Sequence, residues 1–241
     1  MLVFVFAATS IIFTSCSKDN PIDPPPSLQV LNPTVRDIDG NVYNTVTIGT
    51  QVWMASNLQT TKYNDGTDIP LVTDDSDWAN LTSPGYCWYN NDMSYKSIYG
   101  ALYNWYTVNT GKLCPTGWHV PTKDEWDTLI LFAGGSKKDA AVSLREVGRN
   151  HWDYTHYGFW EMYGRYGNDQ YGFTALPGGY RDGEVPAAYP RGYFYGLTIE
   201  GNWWSSTQSY RLTASVLNIG SFAYMHSIML QSGASVRCIK D

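Results

Sequence analysis

The chain has 241 residues, with 16 Lys or Arg against 22 Asp or Glu and a formal net charge of −6. Its basic residues are few and scattered, which excludes a nucleic-acid partner, because phosphates are met by a basic stripe. Aromatic residues make up 15% of the chain and charged ones only 16%, the balance of a loop-rich extracytoplasmic domain whose rings build a core, a ligand-stacking surface, or both.

Leu2 to Phe13 is an apolar run, followed by Thr14-Ser15-Cys16 and the polar Ser17-Lys18-Asp19-Asn20. It is too short to span a bilayer and fits the core of a signal peptide. Small residues directly before a Cys resemble the lipobox of bacterial lipoproteins. That resemblance implies that residues 1–16 are a signal peptide and that Cys16 becomes the lipidated N-terminus. Several acyl chains on one residue give stable anchoring. An ordinary signal peptide with a coincidental Cys is the alternative. No Lys or Arg precedes the apolar run, although a positive segment normally sets orientation; the expectation is a start codon further upstream. Residues 17–34 form a linker in which Pro21-Ile-Asp-Pro-Pro-Pro26 is a semi-rigid spacer. The residues after Cys16 resemble the surface-export signal of Bacteroidetes lipoproteins, so the expected location is the outer membrane, facing outward.

One domain is expected over 35–241, long enough to bury a core. Val35 to Gly49 reads as a hairpin turning at Asp39-Gly40, and Gln51 to Leu58 continues its sheet. Lys62 to Pro84 is polar and reads as a long solvated loop. Asp74, Asp75 and Asp77 lie within it without the spacing or bidentate Glu of a calcium loop. Tyr86 to Tyr89 is a short strand, and Tyr99 to Val108 reads as the first helix, with Leu102, Trp105 and Tyr106 on one face. After a brief strand, Trp118-His-Val120, the pair Thr122 and Glu125 makes a capping box that opens a second helix. Trp126, Leu129, Ile130 and Ala133 line its apolar face, and Gly134-Gly135 ends it. A shorter helix covers about 139–147. From His151 onward the chain reads as loops and short strands, in an α+β arrangement whose terminal strands pair.

Seven segments carry a resemblance. They are Asp37-Ile-Asp-Gly-Asn-Val-Tyr, Gln51-Val-Trp-Met-Ala-Ser-Asn-Leu58, Tyr99-Gly-Ala-Leu-Tyr-Asn-Trp105, Cys114 to Trp126, Gly172 to Arg181, Trp203-Trp-Ser-Ser-Thr207 and Ser235-Val-Arg-Cys-Ile-Lys-Asp241. In this order they resemble the Fibrobacter succinogenes major paralogous domain, common in lipoproteins of Bacteroidetes and Fibrobacteres. The segment Trp118-His-Val-Pro-Thr also resembles the C-type lectin-like fold and is similar to a segment of formylglycine-generating enzymes, which share that fold. The resemblance implies an α+β, C-type lectin-like fold with two main helices, short antiparallel sheets and long loops. Some such domains are varied near the C-terminus by diversity-generating retroelements, which the protein sequence does not reveal.

With Cys16 assigned to lipid, Cys87, Cys114 and Cys238 remain, so one disulfide and one free thiol are expected. The lectin-like resemblance implies Cys114–Cys238; Cys87–Cys238 is the alternative. Formylglycine-generating enzymes use paired cysteines that bind copper, and this chain does not present two at comparable positions, so that activity is not carried over. There is no Gly-x-Ser-x-Gly elbow, no His-Glu-x-x-His and no calcium-lectin Glu-Pro-Asn loop. His151 and His156 lack a recognised ligand spacing, and His119 reads as structural. The expectation is no catalytic residue, no metal and no cofactor.

What remains is a surface made from the late loops. Tyr189, Arg191, Tyr193 and Tyr195 form one group of candidate ligand-binding residues. Tyr210, Arg211, Tyr224 and His226 belong to the same candidate surface. Tyr gives wide, rigid contact at low entropic cost and suits protein or glycan recognition, although half of these rings could simply pack the loop layer. Of Trp203 and Trp204, one is expected in the core. The reading is therefore a non-enzymatic, monomeric surface lipoprotein that binds a protein or glycan. A divergent formylglycine-generating-type enzyme and a structural envelope component are the alternatives.

Overall fold

The computed structural model describes residues 33–153, 166–183 and 192–241. All of them lie in the compact unit Asn32–Asp241. The architecture is mainly β with short helices. A first sheet contains β1 (Thr34–Arg36), β2 (Val42–Ile48), β3 (Gln51–Met54), β6 (Trp118–His119) and β12 (Ile239–Lys240), in the order β1-β2-β3-β12-β6. β4 (Tyr86–Cys87) and β5 (Leu102–Tyr103) form a small ribbon. The second large sheet runs β11-β10-β9-β7-β8, from β7 (Gly178–Arg181), β8 (Phe194–Leu197), β9 (Gly201–Tyr210), β10 (Thr213–Ile219) and β11 (Ala223–Met229).

The opening hairpin turns at Asp39-Gly40 as its sequence predicts, with Gly40 at φ 88°. The terminal segments do meet, but the partner of the last strand is β3, not β1. Ile239 pairs with Trp53 on one side and His119 on the other. The disulfide Cys114–Cys238, Cα–Cα 6.0 Å, closes beside it, and Cys87 is the buried free thiol.

The first helix is not where the apolar spacing places it. Residues 99–108 divide into the end of α2 (Lys96–Tyr99), β5, and α3 (Trp105–Val108). Gly100 breaks the run at φ 76°, where a Cβ would stand 2.7 Å from the Leu58 carbonyl. The Ala101 and Tyr103 amides then donate to Leu58 and Ala234, and the Asn104 side chain caps α3 by accepting from the Thr107 amide. Tertiary strand bonds therefore outcompete a short helix of weak intrinsic stability. The polar stretch 62–84 is likewise not all loop: α1 (Asp75–Ala79) is capped by Asp74 and buries Trp78.

Among the described residues the two longest helices are α4 (Lys123–Phe132) and α5 (Lys137–Leu144). The Thr122–Glu125 capping box is present, and Trp126, Leu129 and Ala133 are buried.

The tail after residue 200 is a long meander, not short strands in loops. The reason is visible in Trp203 and Trp204, both fully buried. Successive strand residues point to opposite faces, so the two rings enter different cores. Trp204 packs with Tyr43, Met54, Tyr103, Trp105 and Val216. Trp203 packs with Trp53, Trp126, Phe173 and Leu217, where Trp53 and Trp126 stack at 4.6 Å. A strand covered on both faces loses the alternation that would mark it in sequence. Gly201 opens this strand because a Cβ there would fall 2.2 Å from the Trp203 ring.

Candidate functional site

The late strands carry the candidate site. The pairings Asn202↔Asn218 (β9 to β10) and Asn218↔Tyr224 (β10 to β11) put these three side chains in one row across the sheet. On the same face, two residues along, lie Trp204, Val216 and His226. This face is dry under Trp204 and Val216. Beyond them it opens into a polar groove of about 360 Å³ that also takes in Tyr180, Asp182, Glu200 and Ser232.

The groove holds a directed chain of hydrogen bonds. Asn218 Nδ2 donates to Glu200 Oε2 at 2.8 Å and to Asn202 Oδ1 at 3.1 Å. Because an ionised carboxylate only accepts, Glu200 fixes the nitrogen of Asn218, and Asn218 in turn fixes the oxygen of Asn202. Asn202 Nδ2 is left without a partner although the residue is only 2% exposed. A buried donor with no acceptor is costly and rare in folded proteins. His226 Nε2 stands 3.5 Å from Asn202 Oδ1. Burial pulls the His226 pKa below its usual value against the opposing pull of Glu200. Burial, and secondarily Glu200, raises the phenol of Tyr224.

The sequence-derived surface residues do not share one face. Tyr224 and His226 line the groove. Tyr195 borders it through Tyr180, their rings 5.9 Å apart. Tyr193 is exposed just before β8, and its carbonyl accepts from the Asp182 amide. Tyr210, well exposed, lines a second depression with Lys123, Ser215 and Met225, and His226 and Ser227 border both this depression and the groove. Strand parity puts Ser215 and Met225 on the Trp203 side of the sheet. Arg211 sits in the β9–β10 turn, where its carbonyl accepts from Gln208. Tyr189, Arg191, Cys16 and His156 lie outside the described residues.

Sequence reasoning missed Asn202, Asn218 and Glu200. A signal was there: each Asn sits inside an apolar strand run, Gly-Asn-Trp-Trp and Val-Leu-Asn-Ile, and Asn is depleted in strands. The other candidates are tied into the framework. His151 Nδ1 pairs with Glu146 at 2.9 Å. Asp75 pairs with the buried Arg181 at 2.8 Å, whose guanidinium lies over the Trp78 and Phe194 rings. His119 bonds Asp241 at 2.6 Å and Glu125 at 2.9 Å.

A comparison with curated proteins and one with solved structures each find no match. The model of the Fibrobacter succinogenes major domain matches residues 46–240. That span takes in Trp53, Trp126, Trp203 and Trp204, the disulfide and the groove, and the chain belongs to the Fibrobacter succinogenes major domain family.

Proposed function

We propose that this chain is a non-catalytic lipoprotein, anchored through Cys16 to the outer membrane and facing outward. It carries a C-type lectin-like module, over residues 35–241, that binds a protein or glycan ligand. The observation that carries the reading is the concave polar groove of about 360 Å³, bordered by Tyr180 and Tyr224, with the hydrogen-bonded row of Glu200, Asn218 and Asn202 in its wall. Sites of this kind combine concave shape with a few fixed polar groups. The bridge from the segment before α4 to the residue before the last strand supports the lectin-like reading. The cysteine chemistry supports a binding role over a copper-dependent enzyme. Cys114 and Cys238 are bonded to each other, and burial pushes the Cys87 thiol up to about 12, far from a thiolate at neutral pH.

Two measurements test this. Metabolic labelling with an alkynyl fatty acid should mark the wild-type chain and not Cys16→Ser. The full chain in detergent should be retained by members of a combined protein and glycan array, and retention should fall on replacing Tyr224 with Ser. Unlabelled wild type would remove the anchor, and an empty array would remove the binding role.

A further inference from the structure

The last turn of α4 leaves two large apolar side chains in the open. Leu131 is 72% exposed and Phe132 51%, although the same helix buries Trp126 and Leu129 on its inner side. The Phe132 ring lies over Gly49 in the β2–β3 turn, where an added Cβ would stand 3.0 Å from it. Its centre is 5.4 Å from that of the Tyr171 ring. Apolar residues scattered singly over a surface are ordinary, but neighbours at one end of a domain form a patch.

Charge around this patch runs against that of the chain. From Leu131 to Ala140 the sequence has Lys137, Lys138 and one acid, Asp139, within a chain of net charge −6. Asp139 is bonded to Ser136 Oγ. Both lysines sit in the first turn of α5, where the helix dipole favours anions, so they do not serve the helix itself. Lys137 is exposed, with Nζ 5.7 Å from the centre of the Tyr224 ring. The acids of α4 lie toward its other end: Asp127 pairs with Lys123, and Asp124 is about 10 Å along the axis from Leu131.

The chain also enters the domain at this end. β1 runs antiparallel to β2 with Thr34 opposite Asn44, and the Pro33 carbonyl accepts from the Thr45 amide and hydroxyl. Going back from Thr34, the backbone therefore heads for the β2–β3 turn on which Phe132 packs. Thr45 precedes Gly49 by only about 13 Å of strand. Residues 17–34, even fully extended, would reach about 60 Å.

We propose that the α4–α5 turn is a membrane-contact surface, with Leu131 and Phe132 entering the headgroup region of a bilayer and Lys137 and Lys138 meeting its anionic phosphates. Apolar burial and attraction to anionic lipid add together in such contacts. Lysine stems also lie along apolar surface while their heads stay in water. Two apolar side chains and two lysines make a weak contact alone, and a short tether makes it effective by rendering it intramolecular. The proposal rests on the lipid anchor proposed above and adds to it the face that the domain turns to the membrane.

The test reconstitutes the full chain into vesicles of phosphatidylcholine, alone or with about 30% phosphatidylglycerol. Flotation with the vesicles reports the anchor, and amide hydrogen exchange through residues 130–138 reports the contact. Exchange there should be slower by about threefold or more on the anionic vesicles than on the neutral ones. That difference should vanish in Leu131→Ser combined with Lys137→Gln and Lys138→Gln, whose exposed or half-buried positions leave both cores intact. Phe132 is kept because it packs on Gly49. A chain that floats but exchanges equally on both vesicles overturns the contact and leaves the anchor standing. A difference that survives in the triple variant, or that appears at residues 209–213 instead, also overturns it. Slowing that follows protein density in the vesicle and not phosphatidylglycerol assigns the patch to a second copy of the chain. A chain that does not float removes both anchor and contact.

Discussion

Arg237 Nη2 donates to Asn57 Oδ1 at 2.8 Å across 180 residues of sequence, and both side chains are buried. The same oxygen accepts from Trp203 Nε1 at 2.7 Å, while Asn57 Nδ2 donates to the Tyr99 carbonyl and Ser235 Oγ. Arg237 has no carboxylate partner among these bonds. Backbone carbonyls of Phe173 and Thr174 and the faces of Phe173 and Trp203 surround it. Burial accordingly lowers its pKa.

This arrangement sets an order among substitutions. Asn57→Ala strips acceptors from a buried cation and an indole at once and should cost about 3–5 kcal/mol. Arg237→Met removes the charge together with its demands and leaves a thioether against the same rings, so its cost should be smaller. Urea unfolding of the two variants gives the order directly, and the reverse ranking would show that the hub is not organised around Asn57.

The Cys114–Cys238 bridge encloses 124 residues of sequence separation. Replacing both cysteines with Ser should lower stability by about 3–5 kcal/mol, chiefly by freeing the unfolded chain. Thermal unfolding of wild type with and without reductant should show the same loss. Equal midpoints would mean that the two tryptophan cores hold the ends together unaided.

Cys87 should behave as an inert thiol. It is fully buried and its pKa lies near 12. Mass spectrometry after exposure to N-ethylmaleimide should find it unmodified in the native protein and modified in urea. Rapid native labelling would indicate an opening of the α1 region, where Arg181 and Trp78 pack.

His119 makes the domain pH-sensitive. Burial alone would lower its pKa, but the hydrogen bonds that its ring donates to Asp241 and Glu125 outweigh this and the net shift is upward. The stabilisation is therefore complete below the unfolded value near pH ~6.5 and is lost as pH rises through the higher folded value. The side chain is 38% exposed, so solvent screening keeps the effect below about 1 kcal/mol. Unfolding midpoints measured from pH 6 to 8.5 should slope downward in wild type and flatten in His119→Gln. An identical slope in both would place the sensitivity elsewhere.

The parts of this architecture that were legible in the sequence are local ones. Thr122 and Glu125 are three residues apart, so their reciprocal bonds could be read without a fold. Asp39-Gly40 announces its turn in the same way. The run 99–108 misleads because its spacing is helical while its donors are claimed by Leu58 and Ala234. The groove was half visible: Tyr224 and His226 stood out as chemistry in a glycine-rich tail, but the place of Asn202 in it depends on a register with Asn218. Tyr210 and Tyr224 look alike in sequence, yet Tyr210 lies beyond two register shifts between β9 and β10 and lines a different depression.

β12 is an interior strand of its sheet, hydrogen-bonded along both edges although it comes last in the chain. β12 is therefore the keystone that joins β3 to β6. Until Ile239 is in place β3 and β6 have no common neighbour, and until Cys238 is in place Cys114 lacks its native partner. The first sheet therefore closes only through pairings distant in sequence, which makes its assembly slower than that of the local hairpins.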